Sequence, residues 1–253
     1  MTIELYHLIF YIWIFLFGIV IGSFLNVCIL RIPSGESIAK SRSHCMNCGY
    51  QLKWYDLIPL FSYLFLGGRC RRCKEPISLQ YPIVEGVNGF LYVLIFFVKG
   101  WNLDAAIYCL LVSALLTLSV IDFRTYEIPF GINVFIFVLG IVHLLLHISD
   151  WKQYLIGFIL VSGIFEIIFL ASGGRAIGGG DVKLMAAAGL LIGWKMAYLA
   201  MVAGCVIGSV IHLIRMRITK EGHKLAMGPY LAVGIFFAVL WGEPFLIWYF
   251  GLF

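Results

Sequence analysis

Apolar residues in this chain come in long, unbroken runs separated by short polar breaks. Eight such runs, at residues 5–29, 81–98, 103–121, 130–148, 154–170, 182–192, 196–214 and 227–250, each predict a helix. Most reach the roughly 20 residues that cross a hydrocarbon layer about 30 Å thick. Apolar character right round a helix suits burial in lipid rather than a one-sided core. The sixth run is short and bounded by glycines, which predicts a segment that is re-entrant or sunk among its neighbours, where non-helical backbone is tolerated. One polar stretch, 31–80, is long enough to fold outside the membrane. The expected fold class is therefore an all-α polytopic membrane protein of about eight transmembrane helices, with a small zinc-ribbon-like insertion between helices 1 and 2. Its expected divisions are a first transmembrane helix (1–30), a cytoplasmic four-cysteine domain (31–80) and a seven-span core (81–253).

Composition agrees: 62% of the 253 residues are hydrophobic and 12% charged, against about 25% charged in soluble domains. The first seven residues carry Glu4 and no Lys or Arg, so the first run reads as a span rather than a cleavable signal. Charge sets the expected orientation. Arg31, Lys40, Arg42, Lys53, Arg69, Arg71, Arg72 and Lys74, then Arg124, Arg175, Lys183, Arg215, Arg217, Lys220 and Lys224, fall on one side of an eight-span chain. Only Lys99, Lys152 and Lys195 fall on the other. By the positive-inside rule the first side is cytoplasmic and both chain ends lie outside. The formal charge of +5 thus reports topology. No basic stripe with interleaved aromatics suggests a nucleic-acid partner; the bilayer is the partner that composition implies.

Cys45-Met46-Asn47-Cys48 and Cys70-Arg71-Arg72-Cys73 place two Cys-x-x-Cys pairs about 20 residues apart, the pattern in which four thiolates hold one structural Zn²⁺. Turns at Asn47-Cys48-Gly49 and Gly67-Gly68 are the expected knuckles. A reducing cytoplasm argues against two disulfides. His44 is an alternative ligand. Cys28, Cys109 and Cys205 lie singly in apolar runs, as packing residues do. His143 and His147 have the i, i+4 spacing of a metal pair but lack the Glu of a His-Glu-x-x-His motif, and ordinary packing is the simpler reading.

Asp122 closes the third run and Asp181 follows Gly178-Gly179-Gly180. Carboxylates at membrane depth are costly and mark function by default. Taken alone, Asp181 suits a helix N-cap, whereas Asp122 at a helix C-terminus opposes the macrodipole. Consecutive glycines admit close approach of another chain, and no phosphate-binding loop accompanies them. If the carboxylates meet, they can share one proton, with one activating water while the other donates to a carbonyl oxygen. The residues alone leave open that acid–base pair and the proton or cation site of a transporter, although no two-fold internal repeat supports the latter. A non-catalytic scaffold around the zinc ribbon is the third reading. Lys183 is expected either to bind substrate or to snorkel. Glu85 and Glu127 could receive a basic segment or simply be hydrogen-bonded, Glu166 needs a partner, and Asn26 and Asn88 suit interhelical hydrogen bonds.

In order along the chain, Gly22-Ser23-Phe24-Leu25-Asn26-Val27-Cys28, Ser43-His44-Cys45-x-x-Cys48, Leu52-Lys53-Trp54-Tyr55-Asp56-Leu57-Ile58-Pro59, Ile77-Ser78-x-x-Tyr81-Pro82-x-Val84-Glu85, Asp122, Gly178-x-Gly180-Asp181-x-Lys183-Leu184 and Met227-Gly228-Pro229-Tyr230-Leu231-Ala232 resemble the type IV prepilin peptidases. The resemblance implies a bifunctional enzyme of the bacterial cytoplasmic membrane. Such an enzyme cuts the basic leader of prepilins or pseudopilins at the cytoplasmic face, after Gly and usually before Phe. It then methylates the new N-terminal amine with S-adenosylmethionine. Asp122 and Asp181 match the family's catalytic aspartates, and the cysteine domain is tied there to zinc and methyl transfer. Gly178, Gly180, Lys183 and Glu85 are the expected substrate contacts. Two departures stand out: Phe130 where a second acidic residue commonly follows Ile-Pro, and Met227 where Phe precedes Gly-Pro. Neither touches the aspartates, and both bear on substrate preference.

Overall fold

In the computed structural model, residues 3–40, 42–219 and 225–252 are described. Lys220, His223 and Lys224, like Met1 and Thr2, lie outside them. The chain divides into two compact units, Met1–Trp101 and Asn102–Phe253.

The first unit pairs α1 (Ile3–Arg31) with α3 (Gln80–Lys99). Their register is antiparallel and set by small residues. A Cβ on Gly18 would lie 2.7 Å from Gly89 Cα, and one on Gly22 would lie 2.7 Å from Glu85 Cα. At this distance polar side chains reach the opposing backbone: Asn88 donates to Gly18 O at 2.8 Å, and Asn26 donates to Tyr81 O at 3.1 Å. Both asparagines thus make the interhelical bonds expected of them, and small residues with polar links are how helices associate in lipid. The outer side of α1 carries Trp13, Phe17 and Leu8, all exposed, as a lipid-facing surface should. Between the two helices come the cysteine segment, a 3₁₀ turn (Trp54–Leu57) and the short α2 (Phe61–Phe65).

The second unit comprises α4 (Leu103–Thr125), α5 (Phe130–Leu146), α6 (Trp151–Ser172), α7 (Gly179–Thr219) and α8 (Gly228–Phe250). Central α4 buries Leu111, Leu115 and Leu118 against its neighbours. Helix α7 is two limbs. Gly193, at φ 77° and ψ 166°, breaks it in a conformation that side chains other than glycine's disfavour. The contacts show a reversal. Gly180 at the start of the first limb faces Ile128, which also touches Gly228, while Gly204 and Gly208 of the second limb face Leu231 and Tyr230. Residues 204–208 have therefore returned to the level of residue 180. Packing on α6 is tight, since a Cβ on Gly157 or Gly189 would run into the other's backbone.

Six described helices are long and apolar enough to cross a membrane, and α5 is a shorter apolar one. Counting the limbs of α7 separately recovers the eight apolar segments read from sequence. The first limb, 179–192, is about 21 Å long at 1.5 Å per residue, short of the hydrocarbon thickness, as its glycine borders imply.

Candidate active site

Asp122 and Asp181 come from different helices to one cavity. That cavity, of about 290 Å³, is lined by Asp122, Tyr126, Glu127, Ile128, Gly178, Gly179, Gly180 and Asp181. Both aspartates are buried, and their charges are near enough to interact. Local geometry explains how each is tolerated.

Asp122 ends α4, where the macrodipole is unfavourable, but it serves the start of another helix. Its Oδ2 accepts a 2.9 Å hydrogen bond from Gly228 N, the first residue of α8, where unpaired N–H groups and the positive helix end favour an anion. The chain then turns away through Tyr126, which is left-handed at φ 58° and donates its N–H to Asp122 O.

Asp181 is the third residue of α7 rather than its N-cap. Its Oδ2 accepts from Gly178 N at 3.1 Å, the reciprocal half of a capping box, in which an acid at the third position reaches back to the cap's N–H. The other oxygen, Oδ1, is buried without a hydrogen-bond partner, an expensive state that suits a carboxyl group waiting for a substrate or water. Asn133 on α5 donates to Gly180 O at 3.3 Å and pins the loop.

The glycines earn specific roles from distance. A Cβ on Gly228 would lie 2.7 Å from Asp122 Oδ2, one on Gly178 would lie 3.1 Å from Asp181 Oδ2, and one on Gly180 would lie 3.0 Å from Ile128 Cβ. Each clears space around a carboxylate or the wall behind it. Lys183, in contrast, leaves the cavity. It lines a neighbouring groove with Glu166, Phe158 and Gly163, and its ammonium sits 5.3 Å over the Phe130 ring. Phe130, one of the two departures from the family pattern, thus meets the lysine by a cation–π contact.

In the first unit, Cys45, Cys48, Cys70 and Cys73 bring their sulfurs within 4.8 Å of one another. Cys45 and Cys73 are 3.7 Å apart and Cys48 and Cys70 are 4.0 Å apart, far beyond a disulfide. Tetrahedral Zn–S bonds of about 2.3 Å place sulfurs about 3.8 Å apart, so the spacing fits zinc. Backbone N–H groups of Cys73 and Arg72 hold the Cys70 thiol down to about 6. Against the lowering N–H of Glu75, burial and the other three sulfurs carry Cys73 up to about 11.

The two knuckles repeat each other at an offset of 25 residues: bridges join His44 to Gln51 and Arg69 to Pro76. The left-handed residues are Gly49 and Lys74. The second knuckle therefore turns at Lys74, not at Gly67-Gly68 as the glycines suggested. Those two residues instead close α2, where Gly68 N donates to Tyr63 O and Gly68 O accepts from Ile77 N. Cys45 N donates to Tyr50 O and Cys70 N donates to Glu75 O, and His44 Nδ1 donates to Arg42 O at 3.3 Å, so the candidate ligands are the four cysteines.

Behind the knuckles sits Asp56, its carboxylate 2.7 Å from Arg71 Nε and accepting from Lys53 N and Tyr50 Oη. Although burial raises its pKa, these partners, Arg71 foremost, bring it below the usual carboxylate value. Glu85 is likewise committed within this unit: Leu60 N, at a strained positive φ, donates to its Oε2 at 2.7 Å.

Both aspartates named from the sequence line the cavity, and the four cysteines named from the sequence cluster together. Sequence reading missed Tyr126 and Ile128 as cavity walls, and it noted Gly228 without its N–H donation. A glycine directly before proline at a helix start was the available signal for the last.

Residues 16–99 match the Bacterial Peptidase A24 N-terminal domain, and residues 109–213 match the Type IV leader peptidase family. Among curated relatives, proteins called prepilin leader peptidase/N-methyltransferase are similar over most of their length. That of Aeromonas hydrophila is 31% identical over 93% of this chain and 92% of its own. That of Pseudomonas aeruginosa is 30% identical over 90% and 89%, and that of Pseudomonas putida 28% over 89% and 88%. No solved structure matches the chain.

Proposed function

This chain belongs to the type IV leader peptidase family, and we propose that Asp122 and Asp181 are the pair with which it cuts its substrate. It is a multi-pass membrane enzyme that removes the leader of type IV prepilins and methylates the N-terminus so exposed. The observation that carries the residue assignment is the convergence of two buried carboxylates and a glycine-lined loop on one cavity.

The chemistry follows from sharing one proton between the pair. The ionised member takes a proton from water as its oxygen adds to the scissile carbonyl carbon, while the protonated member donates to the carbonyl oxygen. Collapse of the tetrahedral intermediate breaks the C–N bond, and the amine leaves with a proton from the pair. Gly228 N fixes one oxygen of Asp122 and Gly178 N fixes one oxygen of Asp181, so each aspartate keeps its second oxygen for reaction. Such orientation supplies much of the rate. The pair titrates as a unit, so the roles of base and acid belong to the dyad.

The basic flanks support a cytoplasmic placement of this end of the second unit, with both termini outside. A prepilin or pseudopilin presents its basic leader on that side, and Glu127 on the cavity rim offers it a counter-charge. Gly178 and Gly180 leave room for an extended substrate backbone. Lys183 acts from the adjoining groove. Cys45, Cys48, Cys70 and Cys73 hold Zn²⁺ structurally, since four thiolates leave no open position. The 31–80 domain serves methyl transfer, for which S-adenosylmethionine supplies the electrophilic methyl group; the 81–253 core serves proteolysis. Glu85 supports the domain junction within the first unit, rather than the substrate.

The test is incubation of purified enzyme with a full-length prepilin and S-adenosylmethionine in liposomes, read by intact mass. Loss of the leader together with one added methyl group is expected. Leader loss without the methyl would confine the enzyme to proteolysis.

A further inference from the structure

The cavity that holds the two aspartates lies at one end of the α4–α5 hairpin. At the other end lies a second constellation that cleavage does not use. Asp104 stands in the first turn of α4, and His143 and His147 stand at the end of α5. Asp104 is 18 residues before Asp122, about 27 Å away along the helix, so the two clusters sit at opposite ends of the second unit.

The imidazoles stack with centroids 4.5 Å apart and an angle of 14°, as i, i+4 side chains on one helix face do. Each turns Nε2 to a different oxygen of the same carboxylate: His143 to Asp104 Oδ1 at 3.5 Å and His147 to Oδ2 at 3.4 Å. One ligand atom from each of the three residues lies within 4.8 Å of the others.

These separations discriminate between explanations. A charged hydrogen bond between imidazolium and carboxylate closes to about 2.7–2.9 Å, and neither contact does so. Ligands about 2.0–2.1 Å from a tetrahedral ion sit about 3.3–3.4 Å apart, a spacing that the 3.4 Å contact matches and the 3.5 Å contact nears. His143 is buried at 3% exposure, walled by the rings of Tyr108 and Tyr154 at 5.9 and 5.3 Å, and its Nδ1 has no hydrogen-bond partner. A carboxylate in a first helical turn also suits the macrodipole, but that role does not call for two converging imidazoles.

We propose that Asp104, His143 and His147 form a second metal site, binding a divalent transition ion such as Zn²⁺ with water completing the shell. Two imidazoles and a carboxylate are a standard zinc donor set. The ion ties the start of α4 to the end of α5, clamping at its far end the hairpin whose near end carries Asp122. On the topology argued above, it faces outside.

Zinc alone is the probe. The full chain in detergent is brought to one zinc per chain, equilibrated with micromolar Zn²⁺, freed of unbound ion and analysed for metal. Wild type retains a second equivalent. Asp104→Asn and His147→Gln retain one, and both still cleave prepilin, which shows that they are folded. Cobalt substitution of wild type gives an independent readout: a second Co²⁺ that adds nitrogen–oxygen d–d absorption without further sulfur charge transfer. A wild-type chain that stops at one equivalent overturns the site. So does a second equivalent that survives in both variants, or a second cobalt with sulfur ligation.

Discussion

Replacing Gly228 with alanine should disable the enzyme without unfolding it. The added Cβ would sit 2.7 Å from Asp122 Oδ2, 3.2 Å from its Cγ and 3.3 Å from Ile128 Cδ1, while ordinary contact begins near 3.4 Å. Asp122 must therefore retreat by about 0.7 Å, and a misplacement of about 1 Å in a reacting group costs on the order of 10²-fold in rate. Alanine keeps the N–H that Asp122 accepts, so the perturbation is steric. The assay is prepilin cleavage in liposomes under saturating and limiting substrate. We expect kcat to fall about 100-fold with KM little changed, the mark of a lost transition-state arrangement. Gly178→Ala and Gly180→Ala, with contacts at 3.1 and 3.0 Å, should fall about 10-fold by the same geometric scaling. Gly179→Ala, whose nearest neighbour is Phe169 at 3.9 Å, and Gly131→Ala, with nothing within 4 Å, should match wild type. Folded Gly228→Ala enzyme working within a few-fold of wild type would refute the reasoning.

Removing one thiolate, as in Cys48→Ser, should cut the zinc bound to the first unit and abolish N-methylation, measured by metal analysis and product mass. Asp56→Asn should destabilise the same region by about 1 kcal/mol, low in the range for a buried polar loss because Arg71 is half in solvent. Because the folded Asp56 pKa lies below its ordinary value, its stabilisation is present above about pH 4 and fades as pH falls through the lowered value. The gap between wild type and Asp56→Asn in protease resistance should be constant at neutral pH and narrow in acid. Gly22→Val, whose Cβ would press on Glu85 Cα at 2.7 Å, should separate α1 from α3 and lower the thermal stability of the detergent-solubilised protein.

Element existence was legible because apolar runs of span length have few alternative fates in water or lipid. Even the break in α7 was marked, by Gly193 between runs ending at 192 and beginning at 196. What the pattern could not supply were contacts across the fold. Nothing local to Asp122 announces that α8 begins at its carboxylate. The second knuckle went astray because glycines advertise positive φ, whereas Lys74 adopts it under the constraint of Cys70, Cys73 and the Arg69–Pro76 bridge. Asp104 escaped notice as a companion of His143 and His147 because about 40 residues separate them, although its place in the first turn of α4 faces the end of α5 once the hairpin closes.

The central claim rests most directly on Asp122→Asn and Asp181→Asn, each purified, shown to be folded by thermal melt, and given full-length prepilin. Either amide can hold the local hydrogen bonds but cannot exchange the shared proton, so each variant should leave the leader attached while wild type removes it. Leader removal by both variants at rates near wild type would contradict the two-aspartate mechanism.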